Sequence, residues 1–126
     1  MSGKVLVVDD DERITDTLSL VLEKRLGCEM LVVNNATDAV DAACSFKPDL
    51  IILDMFMPDL DGGTLSRDLK LNSMTSHVPV LLFTSVASSD DVAIYNRDGH
   101  QPAMVSKAAP LGEFLTAVRL SLGVCA

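Results

Sequence analysis

The sequence predicts an α/β fold, a doubly wound five-stranded parallel sheet with helices on both faces. Two observations carry that prediction. Short apolar runs alternate five times with segments of helical period. The runs are apolar throughout rather than at every second residue, as strands covered on both faces are.

Residues 5–8 (VLVV) read as the first strand. Ile14, Leu18, Val21 and Leu22 recur at i, i+4, i+7 and i+8, which predicts a helix over about 12–26. Gly27 is placed to end it, because only glycine takes the left-handed cap without strain. Residues 30–33 give a second strand. Asn35 is a candidate cap for a helix burying Ala36, Ala39, Val40 and Ala43, and Pro48 stops that helix. Residues 50–53 form the third strand. The Asp61-Gly62 pair signals a turn before a shorter helix over about 64–71. Pro79 introduces strand four at 80–83. Residues 88–97 read as a helix capped by Ser88 or Ser89, with Asp90 and Asp91 in its first turn. Residues 103–105 form a short fifth strand, and Leu111, Phe114, Leu115, Val118 and Leu122 form a final helical stripe. Right-handed crossovers then give (βα)5 in flavodoxin-like order 2-1-3-4-5. With no repeat, linker or low-complexity tract, residues 1–126 are expected to form one domain.

Composition narrows the function. Hydrophobic residues make up 48% and aromatics 4%, so the core must be aliphatic. A chain of 126 residues buries about two-thirds of its unfolded surface. Eighteen acids against ten bases give a net charge of −8. That argues against direct nucleic-acid binding, which needs a basic patch, and suits a cation or a basic partner. Cys28, Cys44 and Cys125 show no CxxC spacing. Cys28 and Cys44 lie in apolar patterns and read as core residues of a reduced, cytoplasmic protein. The first residues lack a signal-peptide pattern, and no run reaches membrane-spanning length.

The chemistry gathers where strands end. Strand one runs into Asp9 and Asp10, strand three into Asp54, strand four into Thr84 and Ser85, and strand five into Ser106 and Lys107. A parallel sheet brings all of these to one rim, near the switch point between strands one and three. Each has a plainer reading alone: helix caps for Asp9–Asp11, a turn residue for Asp54, a strand residue for Thr84, a solvated charge for Lys107. Together they form a coherent set. Crowded carboxylates repel, and a hard cation such as Mg²⁺ removes that penalty. Asp54 can then attack phosphorus as a nucleophile. Lys107 supplies fixed positive charge, and Thr84 a hydroxyl donor to a phosphoryl oxygen.

VLVVDDDE, DLIILDMFMPDLDG, LLFTS and VSK, in this order, resemble a response-regulator receiver domain of two-component signalling over residues 4–122. The resemblance implies that Asp54 is the phosphoacceptor, that Asp9 and Asp10 form the acidic pocket, and that the backbone carbonyl of Phe56 completes the Mg²⁺ ligands. It implies that Thr84 and Lys107 fill the family's remaining site roles, with Thr84 also a switch residue and Met104 standing where the family often has an aromatic switch residue. It also implies a histidine kinase or phosphotransfer protein as donor, and a downstream protein reading the face of helix four, strand five and helix five.

Three departures stand out. Receivers usually carry proline directly after the lysine, whereas Ala108 and Ala109 follow here and Pro110 comes later. A cis bond before alanine costs about 2.5–4 kcal/mol, so a trans bond or a rearranged turn is expected. Methionine at 104 lacks an aromatic's two-position signature. The DGHQPAM segment, with Gly99 and Pro102, predicts an unusual approach to strand five. Phe56 and Val86 fall where receivers tune water access to the phosphoryl group, and both being apolar predicts slow autodephosphorylation.

The competing class is an aspartyl-phosphate phosphatase of the haloacid dehalogenase type. It needs an acid/base aspartate two residues after the nucleophile, where this chain has Phe56. A nucleotide or flavin binder would want a glycine-rich first loop, not Asp9-Asp10-Asp11. An EF-hand frame fails because Met57 would occupy its first ligand position. His77 and His100 read as surface residues. The chain is therefore expected to be a receiver, stand-alone or part of a larger protein, that assists its own phosphorylation without turning over an external substrate.

Overall fold

The computed structural model describes residues 3–55, 57, 62–85, 88–98 and 103–123. In chain order it contains β1 (Lys4–Val8), α1 (Glu12–Leu26), β2 (Glu29–Val33), a single 3-10 turn (Ala36–Asp38), α2 (Ala39–Phe46), β3 (Leu50–Asp54), α3 (Gly62–Leu71), β4 (Val80–Thr84), α4 (Ser89–Arg97), β5 (Ala103–Ser106) and α5 (Leu111–Ser121). All four strand pairings are parallel, in the order β2-β1-β3-β4-β5. This is the flavodoxin-like arrangement that the alternation of apolar runs and helical periods predicts.

Strand alternation sorts the core into two layers. Leu6, Val8, Ile51, Leu53, Leu82 and Met104 pack with Ala39, Ala43, Leu65, Leu69 and Val92 from α2, α3 and α4. Val5, Val7, Leu50, Ile52, Leu81, Phe83 and Val105 pack with Leu18, Leu22, Phe114, Leu115 and Val118 from α1 and α5. The rings of Phe83 and Phe114 lie 5.4 Å apart and tilted. Every residue of β3 and β4 is buried. β2 is an outer strand and only half-buried beyond Glu29, although its sequence is as apolar as the others.

Local chemistry accounts for the element ends. Gly27 takes φ 67°, with its N–H donating to the Glu23 carbonyl and that of Cys28 to the Leu22 carbonyl, which closes α1 as predicted. Ser88 caps α4 in a reciprocal box with Asp91. Cys28 is buried, and burial, followed by the Asp49 charge, pushes its thiol pKa up, while Cys44 is only half-buried.

Two helix starts, and the burial of Leu111, differ from the sequence-based expectation. Asn35 caps the 3-10 turn by accepting from the Asp38 N–H, so α2 begins only at Ala39. Helix α3 starts at Gly62 rather than near residue 64. Leu111 opens α5 but is 44% exposed, at the edge of a cavity of about 600 Å³ lined by residues of α1 and α5. Residues 99–102, expected to approach β5 unusually, lie outside the described residues, as does Cys125.

The outer strand β5 is tied down from one side by α4. In a parallel strand the N–H and C=O of one residue point the same way, so alternate residues face outward. The outward pair at Met104 meets the Asn96 side chain, whose Nδ2 donates to the Met104 carbonyl at 2.8 Å while its Oδ1 accepts from the Met104 N–H at 3.0 Å. The carboxamide thus stands in for one rung of a neighbouring strand.

Candidate functional site

The strand ends converge as the topology requires. Asp9 follows β1, Asp54 ends β3, and these strands are direct neighbours in the sheet. One carboxylate oxygen from each of Asp9, Asp10 and Asp54 lies within 4.8 Å of the others. Asp9 and Asp54 are buried at 1% and 6% exposure, whereas Asp10 is exposed. Two interior carboxylates and one facing solvent form a cup of hard oxygens open on one side.

Lys107 reaches into this cup from the far end of β5. Its Nζ donates to Asp9 Oδ2 at 2.8 Å and lies 3.3 Å from Asp54 Oδ1. The ammonium also stands 5.5 Å from the centre of the Phe83 ring. The lack of a following proline does not displace it. Ser106 organises the turn instead: its Oγ accepts from the Ala108 N–H and its carbonyl from the Ala109 N–H. The Lys107 N–H donates to the Thr84 carbonyl at 2.6 Å, extending the β4–β5 ladder by one rung. Burial, the largest single influence on the amine, pulls its pKa down. The hydrogen bond and charge of Asp9, with those of Asp54, outweigh it, and the pKa lies above the ordinary lysine value.

Asp9 is held at every polar atom. Its N–H donates to the Val33 carbonyl, its carbonyl accepts from Asn34 Nδ2, Oδ1 accepts from the Asp11 N–H, and Oδ2 accepts from Lys107. Asp11 caps α1 by accepting from the Arg13 N–H at 3.0 Å. Asp10, between these anchored neighbours, has no partner for its carboxylate among the described residues.

Thr84 is fully buried at the same rim, paired in register with Ser106, while Asp54 pairs with Phe83. Met104 sits two residues below Ser106 on β5, in register with Leu82, and its side chain belongs to the α4-side core with Val92 and Tyr95. Phe56, Val86 and the acidic turn at residues 59–61 lie outside the described residues. The structure therefore brings Asp9, Asp10, Asp54 and Lys107 into one cluster, with Thr84 on its border and Met104 beneath.

Two residues near the site escaped the sequence reading. Gly62 reads as half of a turn signal, yet it is the first residue of α3 and presses on the end of β3. Its N–H donates to the Met55 carbonyl at 2.8 Å, and a Cβ there would stand 2.6 Å from the Asp54 carbonyl oxygen. Asn34 directly follows β2 and carried the same signal as the other strand-end polar residues, a polar side chain closing an apolar run.

The chain matches the response regulator receiver domain family over residues 5–119. It is 39% identical over 94 residues to the response regulator PleD of Caulobacter vibrioides, covering 72% of this chain and 20% of that protein. It is 32% identical over 122 residues to the DNA-binding dual master transcriptional regulator RpaA of Synechocystis, covering 94% of this chain and 48% of that one. Among solved structures it resembles the BeF3-activated N-terminal receiver domain of Klebsiella pneumoniae RstA, with TM-score 0.79, 28% identity, and coverage of 94% and 97%. The chain belongs to the response regulator receiver domain family of two-component signalling. It spans about half or less of the length of these curated relatives. The phosphatase alternative finds no support in these matches. Receivers bind Mg²⁺ through acidic residues, and the donor set here fits such an ion. All three side chains offer hard oxygens, the ligand chemistry Mg²⁺ prefers, and these lie within 4.8 Å of one another. Among the described residues, no helix is long and apolar enough to cross a membrane.

Proposed function

We propose that Asp54 is the phosphoacceptor of this receiver and that Asp9, Asp10, Asp54 and the backbone carbonyl of Phe56 hold Mg²⁺. The observation that carries the reading is the convergence of three carboxylates and one lysine, from the ends of three strands, at a single point of the rim. The ion, when bound, offsets the repulsion among the carboxylates and neutralises charge on the phosphoryl oxygens.

An Asp54 carboxylate oxygen attacks the phosphorus of a phosphohistidine on a histidine kinase or phosphotransfer protein. The P–O bond forms as the P–N bond breaks, and the departing imidazole nitrogen keeps the electron pair and takes a proton. Burial of Asp54 at the tip of a rigid strand supports this role, because it limits rotation and excess water. Lys107 holds positive charge against Asp54 throughout, and the Thr84 hydroxyl donates to a phosphoryl oxygen. Phosphorylation shifts the population of the surface formed by α4, β5 and α5, with Met104 as the repacking residue between site and surface. The apolar Phe56 and Val86 shield the acyl phosphate, so its loss is slow. A downstream protein reads the surface in the cytoplasm, since the −8 charge disfavours nucleic acid.

The test is incubation with phosphoramidate in Mg²⁺ or in chelator, followed by intact mass. Wild type gains one phosphoryl group in Mg²⁺ and none in chelator. Uptake that ignores Mg²⁺ would remove the metal from the account, and release of the phosphoryl group within seconds would remove the shielding.

A further inference from the structure

Asn34 makes a junction that neither the acidic couplet nor the sheet provides. Its Nδ2 carries two hydrogens, and both are used. One goes to the Asp9 carbonyl at 2.8 Å, the other to Thr15 Oγ1 at 3.2 Å. Thr15 is fully buried and passes its own hydrogen to the Glu12 carbonyl. One half-buried carboxamide therefore links the end of β2, the end of β1 and the first turn of α1.

The atom it grips matters. The Asp9 carbonyl belongs to the same planar peptide unit as the Asp10 N–H. Fixing that carbonyl fixes the plane joining Asp9 to Asp10, and with it the direction in which the Asp10 Cα leaves. Asp10 has little else to aim it: its carboxylate is exposed and has no partner among the described residues, and its far side is held only through the Asp11 N–H on Asp9 Oδ1. Asp9 itself keeps three other ties, through Val33, Asp11 and Lys107. The residue with most to lose from a free peptide plane is therefore Asp10.

We propose that Asn34 is a positioning residue for the Mg²⁺ site, holding the Asp9–Asp10 peptide plane so that both carboxylates face one point. The inference rests on the reading of Asp9 and Asp10 as metal ligands, and it concerns the layer behind them. Partners behind a metal's ligands commonly control affinity by about 10–100-fold.

The experiment is calorimetric or NMR titration of the unphosphorylated protein with Mg²⁺, alongside urea unfolding. Asn34→Leu keeps the branched shape and removes the donor, and is expected to weaken Mg²⁺ binding about tenfold. In phosphoryl uptake from phosphoramidate it raises the Mg²⁺ concentration for half-maximal rate by the same factor and leaves the maximal rate near wild type. Thr15→Val leaves the Asp9 bond in place and keeps Mg²⁺ affinity within about twofold, since the gripped carbonyl is untouched. Should Asn34→Leu not fold, Asn34→Ser, too short to reach the carbonyl, carries the same expectation. Unchanged Mg²⁺ affinity in the Asn34 variants, with or without lower stability, overturns the proposal. So does an equal loss in Thr15→Val, which would place the effect in helix packing. Asp10→Ala separates the two levels. If it abolishes Mg²⁺ binding while Asn34→Leu does not weaken it, only the positioning role fails. If wild type binds no Mg²⁺, the metal reading fails and this inference with it.

Discussion

Lys107 and Asp9, 98 residues apart in the chain, meet in a 2.8 Å charged hydrogen bond at the rim of the sheet. The lysine side chain is 15% exposed and the aspartate 2%, so the pair is largely withdrawn from water. Lys107 is also the counter-ion of Asp54. It therefore shares both carboxylates with any divalent cation that the site holds.

Removing the lysine should separate these roles. Without Mg²⁺, Lys107→Met leaves two buried carboxylates uncompensated, a loss of roughly 2–4 kcal/mol after allowance for residual water contact. Added Mg²⁺ should stabilise the variant more than wild type, because the ion no longer competes with an ammonium. The pH dependence has a definite sign. A lysine raised above its ordinary value stabilises the fold fully below the unfolded pKa, about 10.4, and loses that contribution as pH rises through the folded one. The wild-type advantage in urea unfolding should be level from pH 7 to about 10 and shrink above that. Shrinkage already between pH 7 and 9 would contradict the pairing.

Asp10→Ala should divide function from stability. The Asp10 carboxylate is exposed and has no partner among the described residues, so unfolding in chelator should change by no more than about 0.5 kcal/mol. Mg²⁺-dependent phosphoryl uptake should be lost. Normal Mg²⁺ affinity in this variant would remove Asp10 from the metal site.

Gly62→Ala tests the seating of α3 against β3. Alanine gains up to about 1 kcal/mol in helix propensity over glycine. Against this, its Cβ would approach the Asp54 carbonyl oxygen to 2.6 Å and Met55 Cα to 2.8 Å, both backbone atoms with little room to move. Overpacking of this kind costs about 1–3 kcal/mol, so the net change should be destabilising. Because the displaced backbone is that of Asp54, phosphoryl uptake should slow as well. A variant with wild-type stability and uptake would show that α3 can shift freely.

Asn96→Ala removes the side chain that completes the outer edge of β5. Water can reach part of this edge, so the loss should be near 1 kcal/mol rather than the full penalty for a buried unsatisfied pair. Hydrogen exchange at the Met104 amide should accelerate selectively, while exchange at Leu82 stays slow. Uniform acceleration across the sheet would mean that Asn96 only contributes to global stability.

Much of this arrangement was legible in the chain. β1, β3 and β4 are continuous apolar runs because helices cover both their faces, and fully covered strands leave no polar alternation to confuse the pattern. The rim was legible for the same reason, since a polar residue closing such a run stands out against the apolar pattern. Boundaries governed by close contact were not. The Asp-Gly pair signals a turn from local preference, whereas Gly62 is required by the backbone of β3 lying against it. Asn34 and Asn96 act on backbone groups 25 and 8 residues away, and such pairings leave no periodic trace. Leu111 fits the helical period but is left exposed at the edge of a cavity.

The most direct measurement is the identity of the residue that carries the phosphoryl group. Wild-type protein phosphorylated in Mg²⁺ is reduced with borohydride, which converts an acyl phosphate to the alcohol, then digested and sequenced by mass spectrometry. Homoserine at position 54, with aspartate intact at positions 9 and 10 and no such product in Asp54→Ala, is the predicted result. Reduction at any other carboxylate, or phosphate surviving on a serine or threonine with Asp54 unmodified, would contradict the account.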